Sequence, residues 1–321
     1  MFDAIGVYAR LFMMIQPIFI VGIPRTGSTL WSNIIARDPN VMRFGEMHFL
    51  NPWHQDFRNF LRQNVGDLAK DNSVETLIDI LFSGGQYAGL RGNYWEQIQK
   101  INPELLKQRM QEAVLASDRS LASIFRIVVD EPTRIRGYEK CLIKFPVYFS
   151  YVRLLKVWYP NAKIVHITRD PRATAMSKTN DPGGTGKRLP RHPRLGLLIR
   201  YVMKVFVVVQ YIWSSYMHRK NSGSNNYALF RYEDLLANPE HTIRELCKFT
   251  GMDFNQDMLN PRKGQPSSLT GERRDGFDVT TAARWKQGLR PLEVHMITWV
   301  TRGSMRRLGY NPDTHPVYQG K

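Results

Sequence analysis

Residues Ile18–Leu30, IFIVGIPRTGSTL, carry an apolar strand directly into a glycine-punctuated, hydroxyl-rich turn. The β-prone run Ile18–Val21 is followed by Gly22, four intervening residues, then Gly27, Ser28 and Thr29. Such a turn can adopt only a few backbone paths, and the one it favours lays successive N–H groups and a helix N-terminus around an anion. A magnesium-triphosphate loop places Lys where this chain has Ser28. The cation sits inside the turn instead, at Arg25. The loop therefore predicts an anionic group other than a metal-bound triphosphate.

A second strand-to-turn unit lies downstream. Lys163–Thr168 (KIVHIT) reads as a strand, and Arg169-Asp170-Pro171-Arg172 follows it, with Ser177 eight residues after Arg169. Taken together, Pro24-Arg25-Thr26-Gly27-Ser28-Thr29-Leu30 and Arg169…Ser177 resemble the two donor-binding motifs of sulfotransferases that use 3′-phosphoadenosine-5′-phosphosulfate (PAPS). The branch they resemble comprises the bacterial, carbohydrate and tyrosylprotein enzymes, and the likeness runs through Phe230–Leu236 (FRYEDLL). The resemblance implies that Pro24–Thr29 grip the 5′-phosphosulfate and that Arg169 and Ser177 grip the 3′-phosphate. It implies PAPS as donor co-substrate, no metal, and a hydroxyl acceptor on a carbohydrate, lipid or small molecule.

The remaining candidates follow from the needs of sulfuryl transfer, in which charge gathers on the bridging and peripheral oxygens and the protein positions and stabilises. Arg25 stands at a position where the family often has Lys beside the bridging oxygen; Arg keeps the charge and donates two bonds. A hydroxyl acceptor needs a base. Glu46 resembles the glutamate of the family's Gly-Glu segment, and His48 is the competing base. Lys144 in LIKFP resembles the lysine that steadies the transferring sulfonate, although Phe145 replaces a small or polar neighbour. Tyr232, Arg284 and Lys286 resemble positions close to the nucleotide. Simpler roles stand beside these: Glu46 as the partner of Arg43, Lys144 as a strand-edge charge, Arg169 in a surface pair with Asp170. Ser268 and the triplet Arg262-Lys263-Gly264 are weaker candidates.

Strands alternate with helices along the chain, which predicts an α/β fold with a P-loop-like parallel central sheet covered by helices on both faces. The expected strands are Ile18–Val21, Val41–Phe44, Cys141–Phe145, Lys163–Thr168 and Tyr227–Phe230. The expected helices are Ser28–Arg37, Val147–Trp158, Leu195–Lys220, Pro239–Thr250 and Pro291–Arg307. Residues 53–126 read as a helical insertion covering the site and shaping an acceptor pocket. Asp181–Pro193, rich in Pro, Gly and cations, reads as a mobile loop. No linker divides the 321 residues, so a single domain over 1–321 is expected. Oligomeric state has no signature.

Charge narrows the partners. With 45 basic and 28 acidic residues the chain carries +17, a field that draws polyanions. Nucleic acid is not expected as a partner, because the phosphate motifs are those of a small donor. Contact with an anionic membrane stays open for the apolar stretch Leu195–Trp213, whose Arg200 and Lys204 argue for a core-facing helix against a span. Two cysteines, Cys141 and Cys247, exclude a disulfide framework and fit a cytoplasmic location. The alternative activity is that of a P-loop kinase or NTPase, with Asp170 as a magnesium ligand.

Overall fold

A computed structural model describes residues 14–47, 49–50, 57–82, 98–179, 193–261 and 276–313. Five strands form one parallel central sheet: β1 (Gln16–Gly22), β2 (Val41–Gly45), β3 (Lys140–Lys144), β4 (Lys163–Thr168) and β5 (Tyr227–Arg231), in the order β2-β3-β1-β4-β5. Helices fall between them in the sequence: α1 (Ser28–Ile35), α2 (Phe57–Asn64), α3 (Asp71–Phe82), α4 (Pro103–Leu115), α5 (Leu121–Ile135), α6 (Val152–Trp158), α7 (Pro171–Thr179) and α8 (Pro193–Asn221). After β5 come α9 (Tyr232–Ala237), α10 (Pro239–Thr250), α11 (Trp285–Gly288) and α12 (Pro291–Arg307). The strand order reverses between β1 and β4. In open α/β sheets the carboxyl ends of strands at such a reversal are where ligands bind.

The chain separates into two compact units. The first comprises residues up to Ile20 and Asp38–Ile164. Here β3 pairs in parallel with β1, Ile20 standing opposite Lys144, and with β2. After a register shift between Arg43 and Gly45, Gly45 still pairs with Ile143, and its left-handed backbone (φ 74°) leads to Glu46. The core of this unit is aromatic: Phe125 packs against Phe49 (4.8 Å between centroids), Trp158 (5.2 Å) and Phe19 (6.4 Å). Asn102 caps α4 by accepting from the Glu104 and Leu105 amides, with Pro103 at the first helical position. Ser120 caps α5 in the same way. The helical reading of 53–126 holds for its described parts, and α5 continues past it to Ile135.

The expected helix Val147–Trp158 is instead two elements, a 3-10 segment Pro146–Tyr151 and then α6. The tighter winding has a packing cause. Tyr148 stacks edge-on against Phe145 (4.6 Å), donates its hydroxyl to the Met47 carbonyl (2.6 Å) and accepts from the Leu50 amide (3.2 Å).

The second unit comprises Val21–Arg37 and Val165–Lys321. Every residue of α1 but Thr29 is buried. Gly251 closes α10 in the left-handed conformation (φ 66°). The long helix α8 packs on α7 and α12. One face is turned inward as expected, with Met203, Val207 and Tyr211 buried, while a second set of large apolar side chains, Leu198, Val202, Val205 and Val209 among them, is exposed. Asp181–Pro193, expected as a loop, lies outside the described residues apart from the first residue of α8.

Candidate functional site

The two predicted turns meet inside the second unit. At the end of β1, Gly22 adopts φ 147°, and a side chain there would drive into the Ile167 carbonyl of β4. Only glycine lets these two strand ends approach so closely. The turn then folds on itself: Thr26 is fully buried and its hydroxyl donates to the Ile23 carbonyl (2.9 Å). Thr26 thus braces the loop through its side chain. Arg25, between Pro24 and Thr26, is held at φ 77°, a conformation that costs a non-glycine residue roughly 1 kcal/mol or more and clusters at ligand sites.

Gly27 ends the turn as the N-cap of α1 (φ 92°, ψ 13°), and its carbonyl accepts from the Leu30 amide (2.8 Å). The cap makes no side-chain bond to the first turn of the helix. Ser28 and Thr29 occupy that first turn, Ser28 buried and Thr29 exposed. Against Gly27 lies the ring of Tyr232, so close that a Cβ on residue 27 would overlap it.

Arg169 ties the second turn to the first. One guanidinium nitrogen donates to the Arg25 carbonyl (3.3 Å) and the other to the Thr281 carbonyl (2.7 Å). The guanidinium stacks over the Tyr232 ring at 4.4 Å. Ser177, one helix later, accepts from the Arg25 Nε (3.3 Å). Arg25, Gly27, Arg169, Ser177 and Tyr232 are therefore one constellation of side chains and backbone. Arg284 lies in the same unit, ion-paired to Asp278 (2.6 Å).

Asp170 is occupied elsewhere. It grips Arg172 with two oxygens (2.9 and 2.6 Å), and Arg172 stacks on Trp285 at 4.1 Å. The amide of Asp170 donates to Glu233 (3.0 Å), whose other oxygen accepts from Tyr310 (2.7 Å). Burial pushes the Glu233 carboxyl above its usual range. Arg169 does not take the surface pairing with Asp170 that the simpler reading offered. Its terminal nitrogens donate to the carbonyls of Arg25 and Thr281, and its Nε is buried without a hydrogen-bond partner. A buried cation bonded to neutral carbonyls, with a spare donor, suits an anion.

Three contributors had no motif. Thr281 joins its hydroxyl to Tyr232 (2.9 Å) and its carbonyl to Arg169. Asp278 caps the 3-10 turn Val279–Ala282 by accepting from the Thr280 amide (3.1 Å), and holds Arg284. Tyr310 secures Glu233. The sole signal for any of them was the Asp-x-Thr spacing of a cap at Asp278–Thr280.

In the first unit, Glu46 and Lys144 form an ion pair at 2.5 Å, Lys144 buried and Glu46 about half exposed. Arg43 was the partner expected for Glu46 in its simpler role, and the ion pair found is with Lys144. His48, Ser268 and Arg262–Gly264 lie outside the described residues. Among the described residues no group of three His, Cys, Asp or Glu side chains is placed to hold a metal ion.

The family model described as "Sulfotransferase family" matches residues 17–256. Mouse carbohydrate sulfotransferase 5 is 31% identical over 203 residues, 54% of this chain and 49% of that protein. Protein-tyrosine sulfotransferase A of Caenorhabditis elegans is 23% identical over 95% of this chain and 70% of its own length. An uncharacterised Aquifex aeolicus protein is 23% identical over 85% of this chain, which spans 30% of it. The chain thus covers half or less of the first curated relatives it matches. Among solved structures, the sulfotransferase domain from the curacin biosynthetic pathway superposes with a TM-score of 0.58 (17% identity, 93% of this chain and 99% of that one). The sulfotransferase domain of the Synechococcus PCC 7002 olefin synthase gives 0.53 (19% identity, 89% and 94%). These two share the fold. On the family match across most of its length, the chain belongs to the sulfotransferase family.

Proposed function

We propose that this chain transfers a sulfuryl group from PAPS to a hydroxyl acceptor. One observation carries the reading: Arg169 bonds the backbone of Arg25 while Arg25 bonds Ser177, so the two anion motifs form a single cationic constellation. The donor supplies a sulfonate on a phosphate leaving group. The loop 24–29 is assigned to its 5′ end, and Arg169 with Ser177 to its 3′-phosphate. Tyr232, which fixes Gly27 on one side and Arg169 on the other, positions both. Arg25 and Lys144 stabilise charge on the oxygens of the reacting centre. Arg284 and Lys286 add cations toward the nucleotide.

Glu46 is assigned to accept the acceptor's proton. Its ion pair with Lys144 supports a shared role, because a carboxylate held by an ammonium is a fixed acceptor of hydrogen bonds. His48 is the alternative base. The names of the relatives point to carbohydrate or tyrosyl hydroxyls, and lipid or small-molecule hydroxyls belong to the same chemical class. Two buried free cysteines support a reducing, cytoplasmic setting.

Calorimetric titration with 3′-phosphoadenosine 5′-phosphate (PAP), followed by sulfate transfer from labelled PAPS across an acceptor panel, tests the proposal. PAP binding that Arg169→Ala weakens and transfer that Arg25→Ala abolishes are the expected results. Magnesium-dependent ATP binding with no PAP binding would overturn it in favour of a phosphotransferase.

A further inference from the structure

Helix α8 carries apolar side chains on its outward face as well as on its packed one. Leu198, Val202, Val205, Val209, Ile212 and Tyr216 recur at spacings of three and four, and each is more than a third exposed. They share one face of the helix. The buried face mixes Met203, Val207 and Tyr211 with Gln210, Ser214 and Ser215. Aromatic rings sit along the outward face, with Tyr201 39% and Trp213 48% exposed. On α12, which packs beside α8, Trp299 and Leu292 are 72% and 69% exposed. Scattered exposed apolar residues need no explanation, but a continuous stripe of this length marks an interaction surface.

Charge selects the occupant. The stripe is bounded by Arg194 at one end and by Arg219 and Lys220 at the other, all exposed. Between Asp181 and Glu233 the sequence holds nine basic residues and no acidic one. A second copy of the chain seated on this face would set cations against cations at both ends in either helix direction, with no acid on α8 to relieve them. An anionic bilayer surface meets the apolar stripe and its cationic ends together, with Trp and Tyr at the headgroup level.

Helix α8 is long and apolar enough to cross a membrane, being about 42 Å at 1.5 Å per residue. Its inner face nevertheless packs on α7 and α12, and its Lys204 is paired to the buried Glu293 of α12 at 2.7 Å. Crossing would carry that packing and that carboxylate into hydrocarbon, which is costly. Lying in the interface keeps both. We infer that the outward face of α8 docks the protein in-plane on a membrane surface containing anionic lipid. This goes beyond the sulfotransferase reading and does not depend on it.

Co-flotation of the full chain with phosphatidylcholine vesicles, with or without about one-third phosphatidylserine, tests the inference. Binding to the anionic vesicles is expected, weakening by tenfold or more in Val205→Glu/Val209→Glu and several-fold in Arg219→Ser/Lys220→Ser or at raised salt. Light scattering and PAP titration of the same variants should show an unchanged oligomeric state and unchanged nucleotide affinity. A folded protein that floats with neither vesicle overturns the inference, and equal flotation with both overturns the anionic assignment. A stable dimer that Val205→Glu/Val209→Glu dissociates would give the face to a second copy, and absence of flotation relieved by removing residues 1–13 would give it to the chain itself.

Discussion

Gly27 is the point at which backbone conformation, packing and the proposed anion grip coincide, so Gly27→Ala is the most searching single substitution. Two effects act at once. An alanine at φ 92°, ψ 13° sits in left-handed backbone, at about 1–2 kcal/mol. Its methyl group also enters the Tyr232 ring, which is 3% exposed and has nowhere to retreat without moving. Displacing the ring loosens the stack with Arg169, worth about 0.5–2 kcal/mol. It also loosens the hydroxyl bond to Thr281, worth about 1 kcal/mol net. A total destabilisation of about 2–4 kcal/mol is expected for partial relaxation, at the upper end of ordinary single substitutions.

The two effects separate in a cycle with Tyr232→Ala. Removing the ring makes room for the methyl group but leaves the backbone conformation in place. In that background Gly27→Ala should cost only about 1–2 kcal/mol, giving a coupling of about 1–2 kcal/mol between the sites. Urea denaturation followed by tryptophan fluorescence reads all four proteins. PAP titration should show at least a tenfold loss for Gly27→Ala, because the ring it displaces also orients Arg169. Equal costs of Gly27→Ala in both backgrounds would refute the packing argument, and undiminished PAP affinity would detach the loop from the nucleotide.

Arg169→Lys keeps the charge but cannot span the carbonyls of Arg25 and Thr281, so PAP affinity should fall about 10–100-fold by calorimetry, equivalent to a charged hydrogen bond of about 1.5–3 kcal/mol. Glu46→Gln should lower kcat by about two to four orders of magnitude while PAP affinity stays unchanged, as expected of a base that acts on the acceptor and not on the nucleotide; unchanged kcat assigns the proton elsewhere. His166 is fully buried between Tyr227 and Ser214, and burial holds its pKa at about 3. The unfolded chain takes up that proton below its ordinary value of 6.5 and the folded one does not. The stabilisation is therefore complete above pH 6.5 and lost as pH falls toward 3, at about 1.4 kcal/mol per pH unit. Denaturation midpoints of His166→Gln should lose that share of the acid limb, leaving the smaller part due to His218, whose pKa burial also lowers.

Both turns proposed to hold the donor were legible because their chemistry is local. A strand, a glycine that must pass close to a neighbour, and a cation at fixed spacing are all written within a dozen residues. The strands were legible for a related reason: buried on both faces, β1 and β4 read as continuous β-branched and aromatic runs. The contacts that complete the site are not local. Thr281 reaches Tyr232 from 49 positions away and Arg169 from 112. The Lys144–Glu46 pair likewise depends on β2 and β3 lying side by side, which no spacing encodes.

Helix α8 shows a deeper limit. Hydropathy identifies an apolar helix and assigns its apolar side to the interior, which Met203, Val207 and Tyr211 occupy, but it does not show that the interior also asks for polar groups. His166 needs a hydroxyl, which Ser214 supplies at 2.8 Å. Next to it, Ser215 is fully buried, and Gly196 gives the packed face a residue without a side chain. Small and polar groups therefore share the buried face with Met203, Val207 and Tyr211, and a second set of bulky residues is left facing outward. Apolar residues on both faces are what a helix requires when it serves two environments, a packed interior on one side and an apolar partner on the other. If glutamates at 205 and 209 leave folding and every association of the protein unchanged, the outward residues have no partner and the stripe marks no interface.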